Sequence, residues 1–204
     1  MNRGEKMIKA YAKSDVGKVR EMNQDYYYIS NSLDEVQLYI LADGMGGYNG
    51  GEIASKIAVE TAKNYIENNF KEIEKDRDSI IQLLGSSMEY ANMVVYEKSQ
   101  QKPELYGMGT TLEICLIYNN KVYIGHIGDS RIYRIRKEFI RKLTQDHSAK
   151  ISKRRKNYKR TSGSSSTKKY VNKSLRMQCI CRTRCNGKRV FKRRCFSYVL
   201  RWFK

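Results

Sequence analysis

No stretch of the 204 residues approaches the roughly 18 consecutive apolar positions that a membrane-crossing helix needs, which excludes a transmembrane role. The opening residues, MNRGEKMIKA, lack the apolar centre of a secretory leader, so a cytoplasmic location is expected. Acidic residues are missing altogether from 148–204. That absence empties the overall net charge of +19 of its usual meaning, because the average joins two unlike compositions. Residues 1–147 hold 20 Lys and Arg against all 21 Asp and Glu, whereas 148–204 hold the other 20 basic residues alone. Cysteine divides the same way: Cys115 stands by itself in the first part, and Cys179, Cys181, Cys185 and Cys195 crowd the second. Two units follow, 1–148 and 149–204, and each requires its own reading.

The first unit carries folding signals of both kinds. Segments 7–13 (MIKAYAK), 25–30 (DYYYIS) and 36–42 (VQLYILA) are short, β-branched or Tyr-rich, and bounded by Gly, Asn or Asp, as strands are. Over 50–70, apolar residues recur at Ile53, Ile57, Ala58, Thr61, Ala62, Tyr65 and Ile66, the stripe of an amphipathic helix. A second helix is predicted over 76–99 through Ile80, Ile81, Leu84, Met88, Ala91 and Val95. TLEICLIY, KVYIGHI and RIYRIR then read as strands, the first two joined at Asn119-Asn120, where asparagine tolerates the positive φ of a tight hairpin turn. Strands, then helices, then strands predict an α+β fold in which sheets pack on helices. Cys115 lies in an apolar strand with no basic neighbour and reads as a packed small hydrophobe, not a nucleophile.

Three polar segments break this pattern. Ser14-Asp15-Val16-Gly17-Lys18-Val19-Arg20-Glu21-Met22-Asn23-Gln24-Asp25 is a Gly-containing loop running into the Tyr-rich strand. Leu41-Ala42-Asp43-Gly44-Met45-Gly46-Gly47 sets a carboxylate at the end of an apolar strand, before three glycines in four residues. Carboxylates beside backbone that can turn its carbonyls inward suit hard cations such as Mg²⁺ and Mn²⁺. Gly125-His126-Ile127-Gly128-Asp129-Ser130-Arg131 places another acid in the turn between two strands. Singly, each has a plain alternative: an Asp-Gly turn, a surface charge at Arg20, a hairpin residue at Asp129.

In this order, together with Gly109-Thr110-Thr111 and Leu143-Thr144-Gln145-Asp146-His147-Ser148, the segments resemble the PPM family of metal-dependent protein serine/threonine phosphatases in its bacterial form. The resemblance implies a four-layer αββα architecture, a β-sandwich flanked by helices, of which residues 14–148 supply the N-terminal part. It implies two Mn²⁺ or Mg²⁺ ions, with Asp25 and Asp43 as carboxylate ligands and the Gly44 carbonyl as a further one. Asp129 would help to hold a possible third, weaker metal, and Arg20 would grip the substrate phosphate through its planar fork of donors. Met45 stands where some eukaryotic relatives carry a histidine proposed as general acid, so that role is not assigned. His126 and His147 match no catalytic position and read as turn or core histidines. The substrates implied are phosphoserine and phosphothreonine in proteins that a bacterial serine/threonine kinase modifies, the enzyme is expected to be a monomer, and no membrane takes part.

Past Ser148 the resemblance stops. The family's later S-D-G and D-N segments, whose aspartates complete the metal centre, do not occur in 149–204. The strands that should pair with 112–118 and 121–127 would be lost with them, leaving a sheet edge and an apolar face exposed. Three readings of the basic segment compete. Twenty cations could bind nucleic acid through counterion release, making the chain a non-catalytic binding module, although such binding would be indifferent to sequence. Zinc would need ligands that C-x-C-x₃-C-x₉-C without histidine does not offer in any usual spacing. A displaced reading frame accounts for more. Reverse-translated with A/T-rich codons and moved forward by one nucleotide, Arg193–Lys204 reads EDVFLMCSDGL, an apolar strand ending in the missing S-D-G. The same shift turns the residues before it into a segment resembling the family's H-P-x-x-N-x-L-x-x-A-L-G. The 204-residue chain is accordingly expected to be inactive. Resequencing the locus around the codon for Ser148 checks the shift: an intact frame reading through to S-D-G would make the segment an artefact, and a confirmed shift would mark a truncated phosphatase.

Overall fold

A computed structural model of the chain describes residues 8–31, 36–45, 47–147 and 178–180. The expectations for 149–204, apart from 178–180, lie outside the described residues. Strands β1 (Asp25–Ile29) and β2 (Gln37–Met45) come first, then helices α1 (Gly47–Asn69) and α2 (Arg77–Gln101). A 3₁₀ turn at Pro103–Leu105 leads to β3 (Gly109–Thr110), β4 (Leu112–Tyr118), β5 (Lys121–Ile127), β6 (Tyr133–Arg136) and β7 (Phe139–Lys142), and β8 (Gln178–Ile180) closes the described chain.

The main sheet runs β1-β2-β4-β5-β8, antiparallel throughout, with the short β3 paired to the end of β2. Residue alternation along β4 sends Leu112, Ile114 and Leu116 to one face and Glu113, Cys115 and Ile117 to the other. The first face packs with Leu38, Ile40, Ala42 and Tyr123 against both helices. On the second face Tyr39, Cys115, Ile117, Val122 and Ile124 are closed over by Ile132, with Ile8, Ala10, Ile29 and Leu143 at their margin. Burial on both faces explains why β2, β4 and β5 read as nearly unbroken apolar runs, unlike the half-polar strands of a one-sided sheet. Of the expected layers, the described residues show the helix pair, the main sheet, and a separate two-stranded sheet of β6 and β7.

Helix α1 buries Ala54, Ala58, Ala62 and Ile66 most deeply, while Ile53, Ile57 and Tyr65 are only partly covered. The small residues thus line the contact and let the helix lie close to its neighbours. Along α2 the predicted stripe is buried through Ile80, Leu84, Met88, Ala91 and Val95. Asp76 caps α2, its carboxylate accepting the Ser79 amide at 2.7 Å. Tyr26 and Tyr28 of β1 reach α1, donating their hydroxyls to Glu60 (3.3 Å) and Glu67 (2.8 Å).

Three expectations are corrected. Residues 8–13 form no strand, since among the described residues no ladder partner lies beside them; Ile8 and Ala10 serve only as packing. Strand β4 is no edge, since it lies between β2 and β5, and β5 pairs with β8 over Val122–Ile124. Strand β7 was not foreseen, because its turn uses Lys137 at φ 53° in place of the Gly or Asn that would announce it. The Asn119-Asn120 turn is as read, with φ of 45° and 60°. Leu84 is fully buried between helix and sheet, so Leu84→Ala should cost about 2–5 kcal/mol in urea unfolding. Exposed Met93→Ala should stay within about 0.5 kcal/mol of the parent.

Candidate functional site

The antiparallel register of β1 and β2 puts Asp25 directly opposite Asp43. Each carboxyl is set by its own local chemistry. Asn23 Oδ1 accepts the Asp25 amide at 3.0 Å, and Asn23 Nδ2 donates to Ser14 Oγ at 2.6 Å, tying the two ends of the 14–24 loop together. Within the loop Asp15 Oδ1 accepts the Gly17 amide at 2.8 Å. On β2 the Asp43 amide donates to Thr111 Oγ1 at 3.0 Å, and the Asp43 carbonyl accepts the Thr111 amide at 2.9 Å and the Thr110 hydroxyl at 3.0 Å. Asp43 therefore sits on backbone whose donor and acceptor are both engaged.

Gly44 is buried, its amide donating to the Gln24 carbonyl at 3.0 Å. A Cβ there would overlap the Gly51 carbonyl of α1, so glycine is what allows the helix to start against the end of β2. Met45 beyond it is exposed.

The electrostatics join the predicted residues. Burial pushes the Asp43 carboxyl up to about 6, helped by the charge of Asp25, a hydrogen bond to Asp25 and the charge of Asp129, with Arg20 opposing. Asp25 is also raised, chiefly by burial, against hydrogen bonds from Asp43 and Ser14 and the charge of Arg20. Ionising one carboxyl thus makes ionising the other harder. Arg20, Asp25, Asp43 and Asp129 thus act on one another, while Arg20 and Asp129 remain exposed. Among the described residues no group of three or more His, Cys, Asp or Glu side chains closes around one point, because Asp129 is felt by its charge and not by contact. Two opposed, partly buried carboxyls that repel each other are nonetheless a donor set that a hard cation relieves, so the residues present fit a divalent metal.

Sequence reasoning missed a buried polar cluster behind this pair. Glu113 lies opposite His126 across β4 and β5, each 3% exposed, with Oε1 and Nδ1 3.0 Å apart. His126 Nε2 lies 3.1 Å from the Gln145 carbonyl, and the ring stacks on His147 at 4.7 Å. His147 Nδ1 accepts the Gly128 amide at 3.1 Å. Burial raises Glu113 to about 7 despite the opposing contacts of His126, Ser130 and Thr111. One charged residue inside TLEICLIY was the available signal, but only the register brings it to His126. Beside the cluster, the Arg131 guanidinium grips Asp146 in a fork at 2.7–3.2 Å, pinning 142–147 to the turn after β5.

The sequence pattern of the protein phosphatase 2C family matches residues 18–178. Over 139 residues the chain is 39% identical to the protein phosphatase PhpP of Streptococcus pneumoniae, covering 66% of this chain and 53% of that protein. It is 32% identical over 138 residues to the serine/threonine phosphatase stp of Listeria monocytogenes, covering 67% and 53%. The crystal structure of the Mycobacterium tuberculosis serine/threonine phosphatase PstP/Ppp superposes with a TM-score of 0.57 at 30% identity, over 70% of this chain and 57% of that one. The catalytic domain of PstP solved with two manganese ions gives 0.58 at 30% identity, over 70% and 58%. The chain spans about half the length of the curated relatives it matches.

The folded form keeps the Glu113 proton up to about pH 7, whereas a carboxyl at its ordinary value of 4.5 has lost it. This contribution to stability is therefore complete below about 4.5 and is lost as pH rises through 7. Thermal melts followed by circular dichroism should show a fall in Tm over that window that Glu113→Gln flattens; parallel curves would contradict it.

Proposed function

The chain belongs to the protein phosphatase 2C family, and from that premise we propose that its site serves metal-dependent hydrolysis of phosphoserine and phosphothreonine in proteins. The observation that carries this reading is the Asp25–Asp43 pair on adjacent strands, with the charges of Arg20 and Asp129 reaching it. Asp25, Asp43 and the Gly44 carbonyl would hold two divalent cations, Mn²⁺ or Mg²⁺, and Asp129 a third. Manganese is the first candidate, since a relative has been solved with two manganese ions. What such cations supply when bound is Lewis acidity, which neutralises phosphate charge and lowers the pKa of water toward roughly 7.

The chain's own residues do the rest. Asp25 and Asp43 would serve as ligands in their ionised form, which Arg20 favours at both. Arg20, on the exposed loop before β1, directs its fork of donors at the phosphate and orients phosphorus for in-line attack. Phosphoproteins made by a bacterial serine/threonine kinase are the proposed substrates, and a cytoplasmic monomer the proposed form.

In the frame-corrected chain, Mn²⁺-dependent hydrolysis of p-nitrophenyl phosphate or a phosphothreonine peptide should be measurable and should collapse in Asp43→Ala. Activity undiminished in EDTA would sink the metal reading. Arg20→Ala should raise KM roughly tenfold, the worth of a charge-assisted hydrogen bond, and leave Mn²⁺ affinity near the parent value. The 204-residue chain should be inactive; full activity with Mn²⁺ would mean that residues 149–204 supply ligands.

A further inference from the structure

The hydrogens of the buried cluster can be counted. The Gln145 carbonyl only accepts, so His126 Nε2, 3.1 Å away, carries a hydrogen. One further proton then lies along the 3.0 Å line between His126 Nδ1 and Glu113 Oε1, whichever atom holds it. At the other carboxylate oxygen, Thr111 Oγ1 donates to Glu113 Oε2 at 3.3 Å. Thr111 Oγ1 also accepts the Asp43 amide at 3.0 Å and lies 3.0 Å from the Ser130 hydroxyl, a bond in which either oxygen can be the donor. The bonds thus connect Asp43 and Ser130 to Thr111, Thr111 to Glu113, and Glu113 to His126 and the 145–147 segment.

This chain of bonds ties the turn after β5 to the Asp43 and Thr111 backbone, which a backbone hydrogen bond already joins. Asp43 is at the C-terminal end of β2, Thr111 precedes β4, and Ser130 follows Asp129 in the turn after β5. Gly128 opens that turn at φ 121°, and a Cβ on it would press on the Thr111 side chain, so the turn lies directly against the hub. We propose that Glu113 and His126 are positioning residues that, through Thr111, fix the backbone of Asp43 relative to the Asp129 turn. The proposal rests on the reading of Asp25, Asp43 and Asp129 as metal ligands, and it assigns neither Glu113 nor His126 any contact with metal or substrate.

Two variants separate a positioning role from mere packing. Glutamine at 113 can still accept from Thr111 through its carbonyl and donate to His126 Nδ1, whereas leucine keeps the bulk and loses both bonds. In amide NMR spectra of the ¹⁵N-labelled 204-residue chain, Glu113→Leu should move the Asp43 and Ser130 resonances, and Glu113→Gln should leave them near the parent positions. Imidazole ¹⁵N shifts, readable because the chain has two histidines, should show His126 with hydrogen on Nε2 in both the parent and Glu113→Gln. Mn²⁺ alone, titrated by calorimetry, should bind about tenfold more weakly to Glu113→Leu than to Glu113→Gln, the usual effect of losing an outer hydrogen-bond partner. Should Glu113→Leu fail to fold, His126→Phe provides the same test, with Asp43 and Ser130 expected to move. Unmoved Asp43 and Ser130 resonances in a folded Glu113→Leu or His126→Phe chain would overturn the proposal. Moved resonances in a chain that takes up no Mn²⁺ would support the positioning role and count against the metal reading alone.

Discussion

Two carboxyl groups held face to face across an antiparallel ladder repel each other, and the surroundings of Asp25 and Asp43 offset that cost. The positive charge of Arg20 favours the ionised form of each carboxyl. Asp43 cannot retreat, because its amide and carbonyl are both held by the Thr110-Thr111 segment and because α1 begins against Gly44 immediately after it. A fold that needed only stability would not place two acids here.

The antiparallel topology makes one end of the sheet the functional end. The start of β1, the end of β2, the start of β4 and the end of β5 all meet there, bringing Asp25, Asp43, Thr111, Glu113, His126 and the Asp129 turn together. Strand β8 pairs with β5 at Val122–Ile124, toward the opposite end, and leaves this corner untouched. The helix face beneath is apolar and closely packed, with Met88 of α2 filling the space over Gly125. On the other face, Glu113 and His126 satisfy each other at the functional end, in a region from which water is excluded.

Residues 149–204 bear on this site by their composition. They contain no aspartate or glutamate, so they add no carboxylate to those of Asp25, Asp43 and Asp129. The family pattern nevertheless extends to residue 178, and the strand at Gln178–Ile180 joins the sheet.

Local signals made the frame of the protein legible from sequence. Two amphipathic helices, the Asn119-Asn120 turn, the apolar strands and the ordered loops around Arg20, Asp43 and Asp129 all depend on short-range periodicity or on residue types with one main use. The limits of that reading have physical causes. Helix α1 buries Ala54, Ala58, Val59, Ala62 and Ile66 and leaves Ile53, Ile57 and Tyr65 partly covered, because only packing decides which of two adjacent stripes faces inward. Residues 8–13 have strand composition and no strand, since a ladder needs a partner that composition does not supply. Pairing of Glu113 with His126, and of both with Asp43 through one threonine hydroxyl, depends on inter-strand register, and register is a property of the assembled sheet. The sequence by itself determined which residues carry charge and which elements hold them. Only the tertiary structure decided that a lone acid in an apolar strand would sit behind the Asp25–Asp43 pair, because that position exists only once four strands have aligned.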